Sequence, residues 1–284
     1  MEYLMTYGWA ILIIAVVLGA MFELGIFGSL TSGPRAQAGS CEVYRPYGPG
    51  TAAGASLAGQ CGGLLPQYVA QFNGQSSQIQ INGPFQTYPE PFTYVIWVRY
   101  TAVASHQWPY LLGSDNTHIY YGIRTSAYGA SVYFEYGKYP TCDGLSGDYT
   151  GTGGLSIADG QWHQVAYTWD GSTLQGYMDG KPDGSSVSVS AFCPGNNAIY
   201  IGGSNPQIFG GQLANAQVYN ASLSQSEILA LYQEGIGGAP IAPQYLVGWW
   251  PLNGNANDYS GDNYDGQASK VSFTGQWSSS YTAP

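Results

Sequence analysis

Charge is what this chain has least of. Only 8% of its 284 residues are Asp, Glu, Lys or Arg, far below the usual quarter. Lys and Arg number 7 against 17 Asp and Glu, a formal net charge of −10. No basic cluster exists to neutralise phosphates, which excludes nucleic acid as a partner. Histidine is almost as scarce, with 3 residues, and cysteine numbers 4. No two cysteines form a C-x-x-C pair and no histidine stands at zinc-ligand spacing from any of them, so zinc and dithiol chemistry are poor readings. The seven glutamates are scattered, and no strand-like run carries two carboxylates spaced to project together, as a retaining glycosidase requires at about 5 Å. His106, His118 and His163 pair with no evident Ser or Cys nucleophile. The chain therefore reads as a non-enzyme.

What is present is aromatic and small. Aromatics make up 15% of the chain, with 25 Tyr, and Gly reaches 41. Such a chain can bury enough surface to offset the entropy of ordering, and its surface is built from Ser, Thr, Asn, Gln and Tyr rather than ions. From Tyr68 onward, short runs rich in Val, Ile, Tyr, Phe and Trp alternate with turn residues, the pattern of a β-sandwich. The predicted strands are 68–72, 77–81, 92–100, 118–124, 131–136, 162–169, 174–179, 187–190 and 198–202, with hairpin turns at Asp170-Gly171 and Asp179-Gly180. In 162–169, His163, Val165, Tyr167 and Trp169 share one face, which makes His163 a packing residue rather than a catalytic or metal-binding one. Ser224 and Glu227 form a capping box that opens a short helix, and Gly235 closes it.

Residues Leu4–Leu30 are almost wholly apolar, with Glu2 and Glu23 the only charges before Arg35. The run is long enough to span a bilayer, yet no Lys or Arg precedes it. The chain thus reads as already processed, its basic leader removed before Met1. Ala15 and Gly19 form a small-xxx-small step that permits close helix approach, and Glu23 continues that row. The run MEYLMTYGWAILIIAVVLGA resembles the N-terminal helix of archaeal type IV pilin-like proteins, through Glu2, Tyr3, Tyr7, Trp9 and the aliphatic run that follows. The resemblance implies a segment that first holds the subunit in the membrane and then packs into a filament core, a homopolymer assembled through residues that include Ile13, Ala15, Gly19, Phe22 and Glu23. Pilins of the best-known kind carry their glutamate at the fifth mature position, whereas this chain has Glu2. A plain membrane anchor is the alternative.

A second resemblance covers most of residues 67–238. The stretches VAQFNGQSSQIQI, PFTYVIWVRY, DGQWHQVAYTWDGSTLQGYMDGK, IYIGG and LANAQVYNASLSQSEILALYQEG are similar, in order, to the laminin-G-like domains of the concanavalin A-like lectin superfamily. It implies a jelly roll of two antiparallel sheets, a fold that hosts lectins, adhesion modules, spacers and some glycosidases. The segment YLVGWWPLNGNANDYSGDNYDGQA (245–268) is similar to the opening of such domains, yet lies at the end of this one. The expected architecture is therefore mainly β. A hydrophobic polymerisation or membrane helix (1–30) leads into a Gly/Pro-rich transition zone (31–66). A circularly permuted laminin-G-like sandwich (67–284) follows, with residues 243–284 completing the sheets of their own domain or a neighbour's.

Four site expectations complete the reading. An even cysteine count in an exported protein favours two disulfides, Cys41–Cys61 and Cys142–Cys193, out of three possible connectivities. Asn220-Ala221-Ser222 is the one glycosylation sequon. Asn253, Asp258, Asp262 and Asp265 offer oxygen donors suited to calcium, although the loop lacks the bidentate Glu of an EF-hand and such loops are commonest simply as turns. Carbohydrate is a further partner, with Trp108, Tyr110, Tyr120, Tyr121 and Tyr128 as candidate contacts. The leading function is an extracellular, cell-surface pilus-like filament subunit for adhesion; the alternative is a membrane-anchored lectin-like protein that does not polymerise.

Overall fold

The computed structural model describes residues 41–43, 55–59, 65–83, 91–100, 109–116, 119–126, 131–136, 148–151, 156–189, 198–204 and 207–284. The chain divides into two units, Met1–Gln37 and Ala38–Pro284, and every described residue lies in the second. The expected N-terminal helix, with Glu2, Tyr3, Tyr7, Trp9, Ile13, Ala15, Gly19, Phe22 and Glu23, lies outside the described residues. Among those described, no helix is long and apolar enough to cross a membrane.

In chain order the strands are β1 (Cys41–Val43), β2 (Ala55–Gly59), β3 (Val69–Asn73), β4 (Gln78–Asn82), β5 (Phe92–Tyr100), β6 (Tyr110–Asn116), β7 (Ile119–Thr125), β8 (Val132–Tyr136), β9 (Asp148–Gly151) and β10 (His163–Trp169). They continue with β11 (Thr173–Met178), β12 (Lys181–Ser188), β13 (Ala198–Ile201), β14 (Gly203–Ser204), β15 (Gln207–Ile208), β16 (Gly210–Tyr219), β17 (Leu246–Trp250), β18 (Gly266–Ser269), β19 (Ser272–Thr274) and β20 (Thr282–Ala283). Among the described residues there is one α-helix, α1 (Gln225–Gln233).

Two antiparallel sheets form the sandwich. One runs β12-β11-β10-β5-β16-β3-β19, with β17 also on β16; the other runs β18-β4-β13-β6-β7-β8-β9. This is the two-sheet jelly roll that the laminin-G-like resemblance implies. The core lies between them and is aromatic. Phe92 of β5 stacks on Phe134 of β8 across the gap at 5.4 Å, and Tyr167 of β10 donates its hydroxyl to the Val132 carbonyl of β8 at 3.2 Å.

Strand β5 shows why one sheet is buried on both sides. Its inward residues Phe92, Tyr94, Ile96 and Val98 enter the core, while Val95 joins a second cluster with Leu223, Ile228 and Leu231 beneath α1. A strand covered on both faces reads as an unbroken apolar run, which is what FTYVIWVRY is. Ser224 caps α1 with a complete capping box, and Gly235 follows its end at φ 78°.

The last forty residues add strands to both sheets. Strand β17 pairs with β16 alongside residues Ala216–Tyr219, just past the segment of β16 that β3 occupies. Strand β18 pairs with β4 and β19 with β3. Trp250 is fully buried and donates its indole N–H to the Tyr264 carbonyl at 2.9 Å. Its ring lies over Gly248, where any Cβ would stand 2.1 Å from the indole.

The transition zone holds a small sheet. Its strands β1 and β2 pair antiparallel, and β20, at the far end of the chain, joins β2 in parallel. No alternation of apolar residues marks this segment, so nothing in its pattern announced the pairing.

Candidate functional site: a row across the seven-stranded sheet

The outward face of the seven-stranded sheet follows from the core by parity. Ile79 and Ile81 of β4 and Ile199 and Ile201 of β13 point into the core, so Gln78, Gln80, Asn82 and Tyr200 take the opposite face. Directly paired residues in an antiparallel ladder share a face, which lets one row be traced from edge to edge. Gln267 of β18 stands opposite Gln80, Gln80 opposite Tyr200, and Tyr200 opposite Gly113. Gly113 stands opposite Gly122, Gly122 opposite Glu135, and Glu135 opposite Tyr149.

Two adjacent strands therefore contribute glycine at the centre of the row, beside a tyrosine. At about 4.8 Å per strand, the step from Tyr200 across both glycines to the Glu135 position is roughly 14 Å. Gly122 has φ 146°, and a Cβ there would lie 2.4 Å from the Gly113 Cα, so this floor is closed to side chains by the backbone itself. On the amide-rich side, Gln80 donates its Nε2–H to Asn82 Oδ1 at 2.9 Å. Gln267 is exposed and Gln80 and Tyr200 are half-buried, whereas Gly113 and Gly122 are buried, so the row reaches the surface at its amide and tyrosine end.

Two residues further along β7 the face closes. Arg124 is 5% exposed, its guanidinium lies 4.6 Å over the Tyr110 ring, and its Nη1 donates to the Tyr110 hydroxyl at 3.5 Å. Tyr110 is fully buried, with Arg124 over its ring, and is thus corrected as a sugar contact. Trp108, Tyr128 and the side chains of Tyr120 and Tyr121 lie outside the described residues. The sequence reading did not single out Tyr200, Gln80 or Gln267. Only the register brings them together, and register is not visible along one strand.

The proposed calcium loop is organised around a carboxylate instead. Asp258 Oδ1 accepts from the amides of Trp249 (2.9 Å) and Ser260 (2.9 Å), and Oδ2 accepts from the Ser260 hydroxyl (2.7 Å) and the Tyr264 amide (3.0 Å). The Asp258 amide in turn donates to Asp265 Oδ1 at 2.8 Å. Asn253 is buried and accepts from the Tyr68 amide at 2.9 Å, and Asp262 is exposed. Among the described residues no group of three or more His, Cys, Asp or Glu side chains is placed to hold a metal. The turn reading of Asn253, Asp258 and Asp262 accounts for these contacts without a cation.

Cys41 opens β1, and the side chains of Cys41, Cys61, Cys142 and Cys193 lie outside the described set, so the two expected disulfides do too. Asn220 is exposed at the end of β16, where its amide donates to the Tyr245 carbonyl at 2.9 Å. His163 is on the inward parity, as its strand pattern implies, but sits at the rim. Its Nδ1 lies 2.8 Å from Asp179 Oδ2 and its Nε2 3.2 Å from both Asp159 oxygens. Burial pulls its pKa down; the hydrogen bond and charge of Asp179, then those of Asp159, outweigh this and leave it raised.

The family model for the concanavalin A-like lectin/glucanases superfamily matches residues 73–229, more than half of the chain, and the chain belongs to that family. Among solved structures it is similar to a candidate carbohydrate-binding protein from Bacteroides ovatus, at TM-score 0.57 and 15% identity, over 78% of this chain and 66% of that one. It is also similar to the heptameric SAP-like pentraxin of Limulus polyphemus, at TM-score 0.48 and 16% identity, over 73% of this chain and 94% of that one. A third similarity is to domain 4 of AbnA, a GH43 extracellular arabinanase from Geobacillus stearothermophilus solved with arabinotriose, at TM-score 0.45 and 16% identity, over 70% and 87% of the two chains. No curated protein sequence matches the chain.

Proposed function

We propose that this chain is a non-catalytic carbohydrate-binding module whose ligand lies across the outward face of the seven-stranded sheet. The observation that carries the reading is the cross-strand row Gln267–Gln80–Tyr200–Gly113–Gly122. A sugar presents an apolar ring face and a rim of hydroxyls. Tyr200 offers an aromatic surface to the first, and the Gln80 and Gln267 amides offer both donors and acceptors to the second. The glycine pair places no side chain of its own next to the tyrosine. Membership of a lectin and glucanase superfamily supports the ligand class.

A glycan array probed with the purified protein, followed by titration of the best binder, tests the reading. Tyr200→Ala is expected to weaken binding at least about tenfold, which corresponds to ~1.4 kcal/mol. Gln80→Ala is expected to act in the same direction. Unchanged affinity in both variants, with the fold intact, would remove the row as the site.

What carries the module to its ligand is a separate question, and only the sequence of residues 1–30 speaks to it. Its resemblance to a pilin-like helix supports an extracellular placement, with the helix either anchoring the chain or polymerising it. Electron microscopy of material shed from the cell surface separates the two: regular filaments containing the chain favour assembly, and their absence favours the anchor.

A further inference from the structure

We propose that His163, held between two carboxylates, is the proton-operated catch of a latch that keeps the C-terminal segment 277–283 docked on the sandwich. The catch joins two separate pieces of chain. Asp179 stands in the two-residue turn between β11 and β12, at φ 52°, and Asp159 lies in the loop that precedes β10. With Nδ1 2.8 Å from Asp179 and Nε2 3.2 Å from Asp159, both ring nitrogens face acceptors. A neutral imidazole has one N–H and one lone pair, so it satisfies one of these carboxylates and turns a lone pair on the other. Only the imidazolium donates to both.

The loop that His163 holds is the loop that grips the C-terminal segment. Three residues after Asp159, Trp162 donates its indole N–H to the Trp277 carbonyl at 3.1 Å and its amide to the Ser280 carbonyl at 3.2 Å. Arg99 steadies the same loop by donating its Nε–H to the Gly160 carbonyl at 2.8 Å. Beyond Ser280 the chain runs through Tyr281, packed against Trp97 at 5.6 Å, into β20, whose parallel partner is β2 of the transition zone. Proton loss at His163 therefore loosens Asp159 first, then the Trp162 grip, and then the pairing at the end of the chain.

The charged and titratable groups around the ring are few. Asp159 faces it from the loop, Asp179 from the hairpin turn, and Tyr232 of α1 feels the charge of Asp179. Arg99 binds the loop backbone, and Lys181, two residues past Asp179, is exposed. The sign follows from the raised pKa of His163. A histidine with a raised folded pKa contributes its full stabilisation below the unfolded value of about 6.5 and loses it as pH rises through the folded value. The latch is thus closed at low pH and loosened as pH rises through the raised folded value.

The test uses the full chain, with hydrogen exchange followed by mass spectrometry and corrected for the intrinsic pH dependence of exchange. Imidazole NMR signals report the protonation of His163. Protection of peptides covering 277–283 is expected to fall as His163 loses its proton, by up to about tenfold for each pH unit its titration lies above the ordinary histidine value. His163→Gln, which cannot gain or lose a proton, is expected to abolish that dependence. Asp179→Asn, which keeps an Oδ acceptor for the Gln164 amide and tolerates the left-handed backbone, is expected to lower the His163 titration while preserving the turn. Protection that stays constant while His163 titrates would overturn the proposal. So would a pH dependence that survives in His163→Gln, since it would belong to other groups.

Discussion

At the scale of single residues, the contacts that hold the loops are carboxylates in a chain with few of them. Asp258 accepts four hydrogen bonds and thereby fixes the loop that follows β17. Asp258→Ala leaves the Trp249 and Tyr264 amides without that acceptor. With hydrogen bonds to charged groups worth about 1.5–3 kcal/mol each and water able to recover part of the loss, we expect a destabilisation of ~2–4 kcal/mol in denaturant titrations. Added calcium is expected to leave the melting temperature of the parent protein unchanged, because the carboxylate is already spoken for. A calcium-dependent rise that Asp258→Ala removes would restore the metal reading. Asn220 makes its own prediction: in native material, peptide mass spectrometry is expected to find a glycan there, on an exposed residue with backbone fixed at the end of a strand. An unmodified residue would show that the sequon is only a turn.

At the scale of elements, the C-terminal strands matter most. Strand β17 brings Trp250, and the turn after it Leu252, into the main core, while β18 and β19 cover the edges of β4 and β3. Burying a large apolar side chain is worth roughly 1.5–3 kcal/mol, so losing Trp250, Leu252, Trp277 and the partly buried Val247 and Phe273 removes on the order of 8 kcal/mol. That is comparable with the whole stability of an ordinary domain. Truncation after Gly238 is accordingly expected to give a poorly folded, aggregating product, detectable by light scattering and loss of cooperative melting. A monomeric fragment with an unchanged melting temperature would mean that these residues form a separate appendage.

This scale also shows what the sequence made legible. Strands with a strong apolar period, such as β5, β8, β10 and β13, lie within a residue or two of their expected positions, and the Ser224 capping box and the Asp179-Gly180 turn stand where their chemistry requires. Strands β6, β9 and β16 escaped. YLLGSDN, DYTG and GGQLANAQVY mix glycine, amides and small residues; β6 and β16 are strands because neighbours on both sides pair with them, and β9 because β8 does. Asn215 shows the same limit. At φ 49° it occupies a register shift in β16, where its side chain donates to the Gly238 carbonyl and accepts from Trp249 Nε1 and Gln217 Nε2. Nothing local in LANAQVY marks that bulge. The candidate site was invisible for a related reason: its residues come from five strands, and only the ladder registers align them.

At the scale of the whole molecule, a chain with few basic residues and many amides and hydroxyls fits a partner that is itself uncharged and rich in hydroxyls. Ion pairing would contribute little to such an encounter. Binding of a neutral glycan is therefore expected to be insensitive to salt, since the ligand carries no charge to be screened. The two broad faces divide the work: the eight-stranded sheet is covered by α1 and the C-terminal segment, while the seven-stranded sheet presents the polar row. The most direct test of that division is residue-resolved NMR mapping of the protein with the tightest glycan from the array. The account predicts shifts concentrated on Gln80, Tyr200, Gln267, Gly113 and Gly122. Shifts confined to α1, the 253–265 loop or the 277–283 segment, with the row silent, would contradict it.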